Sequence, residues 1–422
     1  MLLLLCTFNI PAQAAGITKD VTLNSASFWQ QNFPAGENRL LNEDQLETFN
    51  KAIMVSSPSV HALSQYPQKL SKQQISKWLD ENMWLFDEEF YIKGKLASPA
   101  YRALIADQLQ LGAIPENIQA EYAVTICRVN LRALPTNEGW FDSATDSHFD
   151  QLQLTALDPA EPVIILHKSK SGNFLFVQMR NYRGWLPVWT VGKTTRDVWL
   201  KYADPAQFLT IVAAKLKLKT DGKENLFQMG ARIPVSDLTN SDYTVLFPSR
   251  DKDGNLVTIA TTLADADDKY ILGSLLYTKH NIIAQAFKFL DAPYGWGGLE
   301  ESVDCSALIE RVYRTVGIDL PRDTDKQAKT AGTRFILEGS PDETKEAMFH
   351  GVQPGDVLFM PGHTLLYLGR TQDTHYAIHA LGGHTENGQR VNVMQVVVSD
   401  LSLKVASGKT HFQALTNILS YK

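Results

Sequence analysis

Ser302-Val303-Asp304-Cys305-Ser306-Ala307-Leu308-Ile309-Glu310-Arg311-Val312-Tyr313-Arg314-Thr315-Val316-Gly317 reads as a short helix with one apolar face and a cysteine in its first turn. Leu308, Ile309, Val312, Tyr313 and Val316 recur at the three- and four-residue intervals of such a face. Asp304 or Ser302 caps the start by accepting free backbone N–H groups; Gly317 stops the helix, with Pro321 beyond. A helix N-terminus carries about half a positive charge, which favours thiolate over thiol at Cys305 and offers N–H groups to an oxyanion. Judged from the helix alone, Cys305 reads at least as well as a small core residue, because it lies on the apolar stripe.

The histidines shift that balance. Five of the ten, His350, His363, His375, His379 and His384, fall within one span of 35 residues, all of it after the cysteine. Strands are expected at Asp356–Met360, Thr364–Leu368, Tyr376–Ala380 and Val391–Val398. An in-register hairpin turning within Gly369–His375 sets His363 and His379 opposite each other, roughly 5 Å apart at Cβ. One then serves as base to Cys305 while the other orients it. His375 and His379 have a spacing that gathers zinc ligands on a helix but spreads them ~13 Å apart on a strand. No metal or other cofactor is expected, and His350, His375 and His384 read as solvated loop residues.

Around the cysteine stand Tyr294-Gly295-Trp296-Gly297-Gly298, Asp304-Cys305-Ser306, Pro321-Arg322-Asp323-Thr324, Pro354-Gly355-Asp356-Val357-Leu358-Phe359 with Gly362-His363, and Ile378-His379-Ala380. In this order they resemble the NlpC/P60 cysteine peptidases. The resemblance implies a papain-like fold and cleavage of bacterial cell-wall peptides between γ-D-glutamyl and a diamino acid such as meso-diaminopimelate. By motif it makes Cys305 the nucleophile, His363 the general base and His379 the orienting residue. Tyr294 would stand beside the oxyanion with the backbone N–H of Cys305. Asp304, Ser306, Asp323 and Thr324 would line the cleft for the peptide's N-terminal side, and a carboxylate pair, Asp304 and Asp323, suits an ammonium group. Three positions depart from the family pattern: Ala307 follows the Cys-Ser pair in place of Gly, Thr324 replaces Ser, and Tyr294 precedes Cys305 by one residue less than usual.

Upstream, a helix at Asn281–Leu290 opens a C-terminal α+β domain assigned to 271–422. Before it, short apolar runs read as two SH3-like barrels, 121–192 and 193–270. The first uses Tyr122–Leu131, Pro162–His167, Phe174–Met179 and Trp185–Trp189. The second uses Trp199–Tyr202, Leu226–Pro234, Tyr243–Pro248 and Leu256–Leu263, with Asp251–Asn255 as a hairpin turn. Asn130-Leu131-Arg132-Ala133-Leu134-Pro135-Thr136 resembles the family subgroup in which two SH3-like domains follow an N-terminal helical segment. In that subgroup the first barrel caps the cleft and favours a free N-terminal L-Ala. Trp185, Trp189 and Trp199 read as core residues, and Cys127 as a buried strand residue. Residues 16–120 are mainly helical, with starts at Asn42, Ser71 and Pro99, the second helix carrying Ile75, Trp78, Leu79 and Met83 and the third running to Leu111.

With 40 Lys+Arg against 46 Asp+Glu, the chain of 422 residues has a net charge of −6 and no basic stripe, which argues against nucleic-acid binding. Its apolar run at Met1–Ile10 is too short to span a bilayer, so no integral membrane segment is expected. Followed by Ala12-Gln13-Ala14, that run matches a signal peptide over 1–15, cleaved after Ala14, although its usual positive start is missing. Export to the periplasm or medium would remove Cys6 and leave two of the three cysteines. The expected partner is a murein peptide or peptidoglycan. Two other readings stay open: an N-acetylmuramoyl-L-alanine amidase, and a wall-binding module that uses the peptidase domain as a scaffold.

Overall fold

The computed structural model describes residues 16–422 apart from 221, 240–241 and 265–267, so the signal-peptide reading and Cys6 lie outside the described residues. Among the described residues no helix is long and apolar enough to cross a membrane.

The C-terminal α+β domain is built on a six-stranded antiparallel sheet with strand order 333–336, 417–420, 357–360, 363–371, 374–386, 389–400. The helix Cys305–Thr315 lies across the strands His363–Thr371 and Thr374–Glu386, and Leu308, Ile309 and Val312 share a core with Leu366, Ile378 and Val396. A helix with a single apolar stripe ordinarily turns its other face to water. Here all eleven residues are buried, because the first barrel covers the polar face. The preceding helix, Lys279–Phe287, starts two residues earlier than the sequence reading, capped by the Thr278 hydroxyl on the Asn281 N–H.

The first barrel is a seven-stranded antiparallel sheet ordered 191–194, 121–125, 162–168, 174–178, 183–187, 129–132, 153–157. The run Tyr122–Leu131 is two strands with a bend between them, and Cys127 sits half-buried in that bend, not in a strand. Trp185 and Trp199 are core residues as expected, but Trp189, on a turn leaving the sheet, is 61% exposed. The expected strand Trp199–Tyr202 is part of a helix, Arg196–Ala203. Trp199 and Tyr202 lie one helical turn apart and both enter the first barrel's core, with Trp199 packed 4.8 Å from Tyr122. Four residues cannot distinguish a period of 2 from one of 3.6, so burial decided the matter.

The second sheet has five antiparallel strands ordered 256–264, 242–250, 232–239, 208–211, 270–272, beside a hairpin of 215–220 and 223–228. Leu226–Pro234 is broken at Gly230, whose backbone takes φ +79° against the carbonyl of Arg311. The N-terminal helices Glu43–Ser56 and Lys72–Asp80 carry capping boxes on Asn42 and Ser71. Met83 lies in a separate turn beyond the second helix, and the third, capped by Ser98, ends at Gln108. This segment packs in two halves. Leu23, Trp29, Ile53 and Val60 join the core of the C-terminal domain, while Leu63, Ile75, Leu79 and Ile105 join that of the first barrel.

Candidate active site

Cys305 opens its helix with Asp304 as N-cap, whose Oδ1 accepts from the Ala307 N–H at 2.9 Å. The same carboxylate accepts from the Gly297 N–H at 2.9 Å and from both Arg322 Nη atoms at 3.0 and 2.5 Å. Burial works against its charge, but Arg322 and these donors outweigh burial and hold the pKa below the usual carboxylate range. Asp304 is therefore spoken for, and the expected Asp304–Asp323 pair is not available to an ammonium group. Ser306, also buried, accepts from Arg322 at 2.9 Å and contributes to this lock rather than to an open surface.

The thiol's own contacts are the Thr324 hydroxyl at 3.7 Å and the backbone N–H of Thr364, the residue after His363. Burial first, then the Asp304 carboxylate, push its pKa up to about 11, so the resting site holds a thiol and not the thiolate that the helix N-terminus alone favours. Tyr294 is buried close by, and burial, Cys305 and Asp304 together keep its hydroxyl protonated.

His363 Nε2 lies 2.7 Å from His379 Nδ1, and His379 Nε2 lies 2.9 Å from the Ser399 hydroxyl. The two rings meet along a diagonal, not directly across the hairpin. The strands pair Leu366 with Ile378, so stepping down one rung puts Leu365, not His363, opposite His379. The turn is Gln372–Asp373, both at positive φ, and a bulge at Leu368 shifts the register. Burial lowers the His363 pKa to about 3 and that of His379 well below its ordinary value. A third ring, His411, lies 6.0 and 5.7 Å from the two, buried, with its pKa lowered by burial to about 4. His350 is exposed as expected. His375 and His384 are strand residues, the first bonded to Tyr367 and Glu346 and the second buried, because the strand runs on to Glu386.

The first barrel closes over this centre. Gln153 donates to the Gly297 carbonyl at 2.8 Å, and Thr155 Oγ1 accepts from Arg322 Nε at 2.9 Å. Gly297 has φ +56°, and a Cβ there would stand 2.5 Å from the Gln153 side chain, so the close approach requires glycine. The long connection after Arg132 brings Phe149 to 6.1 Å from Tyr294 and 5.4 Å from Trp296, ring to ring. Trp296 itself donates to the Asp150 carbonyl at 2.9 Å. Asp323 stays partly open, held by Lys326 at 2.7 Å and by the Tyr182 hydroxyl of the barrel. Sequence reasoning missed Ser399, His411, Phe149 and Tyr182, none of which carries a local pattern. Arg322 had a signal, its place directly after Pro321 and before Asp323 in the motif Pro321-Arg322-Asp323-Thr324.

The sequence pattern of the NlpC/P60 family matches residues 291–399, and that of an SH3 domain of the SH3b1 type matches 140–187. A dipeptidyl-peptidase 6 of Lysinibacillus sphaericus is 36% identical over 110 residues, 26% of this chain and 35% of that protein. A bifunctional muramidase/DL-endopeptidase, CwlT, of Bacillus subtilis (strain 168) is 28% identical over 157 residues, 37% of this chain and 41% of that protein. The chain thus spans well under half the length of these curated relatives. In fold it is similar to an NlpC/P60 endopeptidase from Photobacterium damselae subsp. piscicida, with a TM-score of 0.76 at 17% identity, covering 92% of this chain and 95% of that one. Residues 291–399 of this chain thus match the NlpC/P60 family, behind a match at 140–187 to an SH3 domain of the SH3b1 type.

Proposed function

We propose that this chain hydrolyses the γ-D-glutamyl–diamino acid bond of murein peptides, using Cys305 as nucleophile, and that it prefers peptides with a free N-terminal L-Ala. The observation that carries the reading is the relay His363–His379–Ser399 beside a cysteine at a helix N-terminus, covered by an SH3 domain. The names of two relatives, a dipeptidyl-peptidase and a DL-endopeptidase, support release of a dipeptide and a D,L bond respectively.

In the tautomers this mechanism needs, His379 Nε2–H donates to Ser399, Nδ1 accepts from His363 Nε2–H, and His363 Nδ1 is the nitrogen free to take a proton. The sulfur attacks the amide carbon as its proton passes to His363 Nδ1, and the imidazolium formed is stabilised by the His379 lone pair. The backbone N–H of Cys305 and the Tyr294 hydroxyl would hold the oxyanion. Collapse returns the proton from His363 to the leaving amine, and water then cleaves the thioester by the same route in reverse. Thr324 beside the sulfur and Asp323 beside Tyr182 would face the peptide's N-terminal side, with Asp323 the carboxylate left for the ammonium group.

Mass spectrometry of products from free L-Ala-γ-D-Glu-meso-diaminopimelate, and separately from intact sacculi, tests the reading. Release of L-Ala-γ-D-Glu from the free peptide alone is the expected result. Products from sacculi only would keep the cysteine chemistry but discard the closed cleft. Release of intact peptide from glycan would replace the reading with an amidase, and free L-Ala as product would replace it with cleavage of the L-Ala–D-Glu bond.

A further inference from the structure

Strands Thr374–Glu386 and Gln389–Asp400 form a long hairpin whose outer half projects past the catalytic sheet toward the first barrel. Near its tip Arg390 is exposed, and its guanidinium carbon lies 5.3 Å from the centroid of the Phe149 ring. Phe149 in turn packs on Tyr294 and Trp296, at the edge of the site that contains Cys305. The field of Arg390 reaches that site, since it counts among the charges acting on the Tyr294 hydroxyl.

Arg390 makes one hydrogen bond, from Nε to the Asn392 side-chain oxygen at 3.0 Å, and among the described residues no carboxylate pairs with it. Arg322 behaves differently: it is buried and consumed by Asp304. Tethering Nε and holding the guanidinium over an aromatic ring restrict the fork and leave both Nη groups for a planar, bidentate acceptor. Gly382 and Gly383 beneath it add no side chain to fill the space between the hairpin and Phe149.

We propose that Arg390, on its Phe149 shelf, is a substrate-binding residue that takes a carboxylate of the peptide beside the scissile amide. The proposal rests on the murein-peptidase reading and names the group that sets its specificity. Three carboxylates have this chemistry: the α-carboxylate of the γ-linked glutamyl residue and the two of the diamino acid.

The test uses the full chain and three peptides: L-Ala-γ-D-Glu-meso-diaminopimelate, the same with a glutamyl α-carboxamide, and the same with both diaminopimelate carboxylates converted to carboxamides. The unmodified enzyme is expected to prefer the free acid over one of the two amides by about 10–100-fold in kcat/KM, the range of a hydrogen bond to a charged group. Arg390→Gln should shrink that preference to within about threefold, mainly by slowing the free acid, and Arg390→Lys should keep an intermediate preference. Which amide is disfavoured identifies the residue whose carboxylate is bound. A preference that survives in Arg390→Gln, a uniform loss on all three peptides, or no preference in the unmodified enzyme would each overturn the assignment. No turnover of any peptide by the unmodified enzyme would instead overturn the peptidase reading on which it rests.

Discussion

At Cys305 the low-dielectric surroundings decide which form waits for substrate. With its pKa pushed up to about 11 by burial and Asp304, the thiol should react slowly with iodoacetamide at pH 7 and gain about tenfold per pH unit above it. A reactivity plateau reached below pH 7 would show a standing thiolate–imidazolium pair and refute this. Cys305→Ala should abolish turnover, and any measurable hydrolysis by it would sink the mechanism. His363→Ala should lose about 10²–10⁴-fold in kcat and His379→Ala less, because the latter removes only the acceptor behind the base. The opposite order in rate assays would exchange their roles. Arg322→Met leaves the Asp304 charge buried and unpaired, so denaturant unfolding should show a loss of about 3–5 kcal/mol. A loss under 1 kcal/mol would mean that the pair contributes little. The sequence marked Cys305, His363 and His379 because reactive side chains in a motif are visible one residue at a time. Ser399 was invisible, since its partnership with His379 exists only through strand pairing.

Individual elements were legible where several local signals agreed. The helix Cys305–Thr315 had a capping Asp304, a 3.6-residue apolar period and a terminal Gly317, and the structure has it within two residues. The turn between the histidine strands had no such agreement. Gln372 and Asp373 both take positive φ without the Asn-Gly or Asp-Gly signature, and a bulge moved the register again. Register errors matter most where one face of a strand carries chemistry, yet here a diagonal contact still joins the imidazoles. Gly297 tests the contact between elements. Gly297→Ala must push aside the Gln153 side chain and hold a left-handed backbone, so it should lower stability by about 1–3 kcal/mol and slow turnover through the displaced barrel strand. Full activity in that variant would show that the barrel's grip on the loop is dispensable.

At the scale of the whole molecule, ion pairs are buried between the first barrel and the helix Cys305–Thr315. Arg311 meets Asp158 at 2.5 Å, Arg314 meets Glu161 at 2.7 Å, and Glu310 meets Arg180 at 2.8 Å. No sequence pattern announces them, because each pair joins residues more than 120 positions apart. Burial also sets how stability should follow pH. His61, His363 and His411 have folded pKa values of about 4, 3 and 4, below the unfolded value of about 6.5. The unfolded chain therefore takes up their protons first. Their contribution is complete above about pH 6.5 and is lost as pH falls toward 4. Asp304, Glu161 and Glu310 have folded pKa values held down by arginines against the cost of burial, so their share disappears only at lower pH. Melting temperature should already fall between pH 7 and 5, and a flat profile there would contradict the burial of these histidines. The same ion pairs make the peptide link between the two halves mechanically unimportant. A protease that cut the chain near the exposed Leu276 should leave a nicked particle, not two fragments, and halves synthesised as separate chains should find each other and reassemble.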